Sequence, residues 1–149
     1  MLPIGPEFEP ERNLPPFYLS ADPPVATIVR EPERQFVVTV EDPNRLDNLH
    51  FRWLIDYPPF DGNISRLALP DAVGAKGPDL PNQHTLRFRP SCDHLISPTL
   101  TQHQLLLVVT DRPFKDDSLD PLTGERILDA TQPGAHRLSL SWTFEKECQ

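Results

Sequence analysis

Two groups of acidic side chains stand where loops are expected. Asp42, Asn44 and Asp47 fall within one turn-rich segment, and Asp111, Asp116, Asp117 and Asp120 follow a long apolar run. A hard cation such as calcium takes about six to eight oxygens converging from loops of this kind. The ligand order of a helix-loop-helix calcium site is absent, and Asp and Asn are also the ordinary residues of turns, where they bond back to the local backbone. The turn reading is therefore preferred to the calcium one, and no cofactor is expected. Softer ligands are present as Cys92-x-His94, His84, His103 and Cys148, but their spacing fits no familiar four-ligand frame, so no metal ligands are assigned. The sets that carry catalysis are missing: there is no Gly-x-Ser-x-Gly elbow, no His-Glu-x-x-His and no phosphate-cradling glycine loop. No catalytic residue is expected.

Two further candidates rest on residue type. Cys92 and Cys148 are the only cysteines. In an oxidising compartment they would clamp the C-terminal strand to the body, and in cytosol they would be two thiols. Both readings stay open, because a bridge needs the α-carbons within roughly 4.4 to 6.8 Å and spacing alone does not show that. Tyr57 and Phe60 flank Pro58 and Pro59 beside Gly62. They would either present rigid aromatic area to a partner or close the end of the core.

The elements that must position these groups are legible as alternation, since successive side chains leave a strand on opposite faces. The stretch 35–57 holds two such runs, with Phe36, Val38 and Val40 on one face of the first and Phe51, Trp53, Ile55 and Tyr57 on one face of the second. Asp42-Pro43-Asn44 supplies turn chemistry between them, and the two runs are expected to form the central pair. Further strands are expected at 24–30 as an edge, at 64–69 as a short edge, at 84–89, at 102–111 with both faces apolar, and at 136–145. In the last, Leu138, Leu140, Trp142 and Phe144 face inward. Long Pro- and Gly-rich loops at 58–83 and 113–135 complete the reading.

Nineteen prolines disrupt helices and mark turns, so the class is all-β. With 149 residues, 38% of them hydrophobic, the chain suits one domain. Residues 1–23, rich in Pro and Glu, read as an N-terminal spacer, and 24–149 as the domain. About seven strands, each with one apolar face, pack most economically as two antiparallel sheets face to face, a β-sandwich. A formal charge of -8 repels a phosphate backbone, which argues against nucleic acid as a partner.

Trp53 on the third strand, the long strand ending Val108-Val109-Thr110-Asp111 and the last alternating strand together resemble the immunoglobulin-like superfamily, especially its PKD-type extracellular members. The combination VEDPN, FRWLIDY and LLLVVTDRPF is similar to the mature part of lipoproteins of delta-proteobacteria such as the myxobacteria, in which a Pro-rich tether precedes one such domain. The resemblance implies an immunoglobulin-like sandwich and a non-enzymatic role in binding, spacing or assembly at the cell envelope, in the periplasm or at the outer membrane. Its implied partner is another envelope protein, with the membrane reached only through an anchor preceding residue 1. The loops 58–83 and 113–135 are the expected contact surface. The alternative is an extracytoplasmic ligand-binding domain for carbohydrate or calcium, and a third reading is a cytosolic regulatory β-domain. No feature of the sequence sets an oligomeric state.

Overall fold

The alternating runs become strands, and their apolar faces meet in one core. A computed structural model of the chain describes residues 14–31, 33–56, 72–92, 101–115 and 129–146, with 118, 119, 121, 122, 124 and 127. Among these, eight strands follow in order: β1 (Phe17–Asp22), β2 (Ile28–Val29), β3 (Phe36–Asp42), β4 (Leu49–Ile55), β5 (Ala72–Val73), β6 (Asn82–Phe88), β7 (Gln102–Thr110) and β8 (Arg137–Glu145). One sheet has the order β1-β3-β6 and the other β2-β8-β7-β4-β5. All pairs are antiparallel except β2 with β8, which is parallel. The molecule is an all-β sandwich, as its residue pattern predicts. Among the described residues no helix is long and apolar enough to cross a membrane.

The core lies between the sheets. Phe36, Val38, Val40, Leu86 and Phe88 from the smaller sheet face Phe51, Trp53, Ile55, Leu105, Leu107, Val109, Leu140, Trp142 and Phe144 from the larger, all of them buried. Aromatic rings form its centre. Trp53 stacks on Phe88 at 5.4 Å and on Trp142 at 6.1 Å, and Phe36 meets Trp142 edge-on at 5.3 Å. The Trp142 indole N–H donates to the Pro23 carbonyl (2.9 Å), so a ring from the last strand holds the crossing between β1 and β2. On the outer face of the larger sheet Leu54 and Val108 are buried too, and the Arg52 guanidinium lies 4.3 Å above the Phe114 ring. The expectation that β7 is covered on both faces holds for its C-terminal half.

Three expectations need correction. The runs on either side of residues 43–48 do not pair with each other. β3 pairs with β6 and β4 with β7, so the turn between them carries the chain from one sheet to the other. The domain also begins before residue 24, because Phe17–Asp22, within the expected spacer, pairs along β3. Its side chains are mostly exposed, so burial left no periodic signal there. Of the expected strand 24–30 only Ile28–Val29 is strand. Ala26 is held at φ 63° and the Thr27 hydroxyl donates to the Pro24 carbonyl (2.6 Å), which makes a turn of the preceding residues. The expected strand at 64–69 lies outside the described residues.

Candidate functional site

Strand directions gather three connections at one end of the sandwich. β3 ends there at Asp42 and β4 begins at Leu49; β5 ends at Val73 and β6 begins at Asn82; β7 ends at Thr110 and β8 begins at Arg137. Hydrogen bonds lock the first two connections together and close the third on itself. Asp42 accepts a bond from the Asn44 amide (2.9 Å), the turn chemistry expected of Asp-Pro-Asn, and the Asp47 amide donates to the Asn44 carbonyl (3.3 Å). The Asn82 side chain, wholly buried, donates through Nδ2 to the carbonyls of Asn44 (3.1 Å) and Asp47 (2.7 Å), while its Oδ1 accepts from His84 Nε2 (2.6 Å). Arg45 donates to the Pro78 carbonyl (3.1 Å), and the Ala75 amide donates to Asn48 Oδ1 (3.1 Å). Asp111 closes the set by accepting from the His136 amide (2.8 Å) and returning its own amide to the His136 carbonyl (3.3 Å).

This scaffold brings Asp42, Asp47 and Asp111 together, with one carboxylate oxygen from each within 4.8 Å of the others. Asp42 is 1% exposed and Asp111 7%. Oδ2 of each is buried and accepts no hydrogen bond among the described residues. Nor does any described Lys, Arg or His form an ion pair with any of the three. Burial pushes the Asp42 carboxyl up to about 6, the Asp47 and Asp111 charges adding to the rise, while the Asn44 amide and His136 oppose it. The two acidic groups noted in the sequence thus converge through Asp42, Asp47 and Asp111. Asp116, Asp117 and Asp120 lie outside the described residues.

Among the described residues the two candidate histidines lie on opposite sheets. His103 is buried on β7, where Nδ1 donates to Asp56 Oδ2 (2.6 Å) and the ring stacks on Phe144 at 5.4 Å. Asp56 in turn accepts from the Gln104 amide (2.9 Å), which fastens the end of β4 to β7. His84 sits on the opposite sheet, its protonated form disfavoured by burial and then by Lys76. Cys92 is exposed after β6. Tyr57, Phe60, His94 and Cys148 lie outside the described residues.

Asn82 is the site residue that the linear pattern did not single out. It follows Pro81 and opens a strand read as beginning at His84, and nothing local marks it as the bridge between two loops. Replacing Asn82 with alanine is expected to cost about 2 kcal/mol by urea unfolding, because the Asn44 and Asp47 carbonyls both lose the bond from its buried amide. An unchanged midpoint would show that water serves those carbonyls equally well.

The chain matches no protein family, no curated protein and no solved structure. The assignment of a role therefore rests on the arrangement of its own residues.

Proposed function

We propose that this chain is a non-enzymatic, immunoglobulin-like module of the cell envelope, the mature part of a lipoprotein, that binds or helps to assemble another envelope protein. The observation that carries this reading is the end of the sandwich where three connections emerge. Two of them bear Leu46 (67% exposed) and Leu80 on a base fastened by Asn82, Asn48 and Arg45, and the third bears the exposed Leu119 and Leu122 (93% exposed). Apolar side chains held outward on a rigid base suit contact with another protein. The strand order supports the immunoglobulin-like reading, with β1-β3-β6 opposite β8-β7-β4 and a buried Trp on β4. Exported character is supported by the Pro-rich lead and by the lack of a free cysteine among the described residues, and the pairing of Cys92 with Cys148 belongs to the same proposal.

Fractionation of cells carrying the natural gene tests it. The protein is expected in the envelope fraction, with neither Cys92 nor Cys148 reacting with a thiol reagent after denaturation without reductant. A cytosolic protein with two reactive thiols overturns the reading. The second reading, a ligand-binding domain, is favoured in its calcium form by the three converging carboxylates.

A further inference from the structure

We infer that Asp42, Asp47 and Asp111 form a binding site for one calcium ion, which ties the β3–β4 turn to the end of β7. The inference holds whether or not the protein has an envelope partner. Its ground is a mismatch in the cluster as it stands. Three carboxylates meet within 4.8 Å, two of them almost wholly buried, yet among the described residues no Lys, Arg or His forms an ion pair with them and one oxygen on each buried group accepts no hydrogen bond. Buried charge of one sign is strongly unfavourable unless a partner of the other sign is supplied. Turn chemistry accounts for one oxygen of Asp42 and one of Asp111, through the Asn44 and His136 amides, and leaves the remaining oxygens for a ligand.

The donor set selects the ion. All three groups are hard oxygen donors, which suit calcium, magnesium or manganese and not zinc or copper. Calcium binds oxygens at about 2.3 to 2.6 Å, so ligands on opposite sides of one ion stand about 4.6 to 5.2 Å apart, whereas the octahedron of magnesium spans only about 4.0 to 4.2 Å. Three oxygens within 4.8 Å of one another lie inside the span that calcium bridges, and three carboxylates exceed the one or two through which magnesium, which keeps several of its waters, is usually held. Asp47, partly exposed, leaves the site open to solvent on its side, where water completes the coordination. The hydrogen bonds from Asn82 to the Asn44 and Asp47 carbonyls hold the turn in place before the ion arrives.

Equilibrium dialysis of the chelator-treated protein against radioactive calcium chloride tests the site, with thermal unfolding in parallel. One calcium per chain is expected, half-saturating on the order of 0.1 mM, and the melting temperature is expected to rise by about 5 °C at saturation. Two variants separate binding from folding. Asp42→Asn is expected to stay folded in chelator and to lose calcium binding. Asp47→Asn, changed at a partly exposed position, is expected to bind about tenfold more weakly and to melt no lower than wild type in chelator. Wild-type protein that takes up no calcium at millimolar concentration overturns the site, as do variants that bind as well as wild type. Magnesium chloride binding as tightly as calcium overturns the choice of ion.

Discussion

Trp53→Ala is expected to remove about 3 to 5 kcal/mol of stability, the usual cost of emptying a large aromatic site in a packed core. Trp53 is 1% exposed and sits where the two sheets meet, stacked on Phe88 from one and on Trp142 from its own. Its removal leaves both neighbours without a contact face, and Trp142 also holds the Pro23 carbonyl, so relaxation of the cavity is resisted from two directions. Domains of this size are commonly stable by about 5 to 15 kcal/mol, so the variant is expected to unfold at far lower urea. Trp53→Phe is expected to cost less than half as much. The buried indole nitrogen of Trp53 has no hydrogen-bond partner among the described residues, and its loss offsets part of the lost packing. A loss below about 1 kcal/mol for the alanine variant would mean that the ring does not fill the space between the sheets.

In the presence of chelator, Asp42→Asn is expected to stabilise the protein by about 3 kcal/mol at pH 7 and above. The carboxyl of Asp42 has its ordinary value of 3.8 raised to about 6 in the fold. An acid raised in this way favours the folded state while protonated. That contribution is fully present below pH 3.8 and is lost as pH rises through 6. Asp47, Asp111 and His136 face the same group, the first two deepening the loss and His136 opposing it. The metal-free wild type is thus expected to weaken between about pH 4 and 7 relative to the asparagine variant, the two converging at the acid end. With saturating calcium the gap between the two is expected to narrow at pH 7, because the ion favours the ionised carboxylate and asparagine offers it only a neutral oxygen. Urea midpoints measured across pH 4 to 7, with and without calcium, check both expectations. Parallel wild-type and variant profiles in chelator would show that Asp42 is not desolvated as the structure has it.

The alternation in 36–42, 49–55, 84–88, 102–110 and 137–145 was sufficient to read the class, the inward faces and most of the core, down to Trp53, Trp142 and Phe144. Period-two alternation is a local property: each residue's face follows from its neighbours in the chain. Pairing is not local. Residues 36–42 and 49–55 look like two arms of one hairpin in the sequence, yet they belong to different sheets, because both sets of inward side chains are buried equally well in either arrangement. β1 escaped notice for the opposite reason, since an edge strand with exposed side chains is identified by its hydrogen bonds to β3 and not by its composition.

The site shows the same division. The acidic residues and their turn setting were visible in the chain, and so was the alternative that they do no more than shape turns. Both proved relevant, because Asp42 and Asp111 each spend one oxygen on a local amide and keep another buried without a bond among the described residues. The sequence by itself determined an all-β chain with an acidic turn and an acidic strand end, since residue type and period act over a few neighbours. Only the tertiary structure decided that Asp42 and Asp47 meet Asp111, and that Asn82 locks the turn beside them. That encounter depends on where sheet pairing brings the ends of β3, β6 and β7, and no spacing along the chain encodes it.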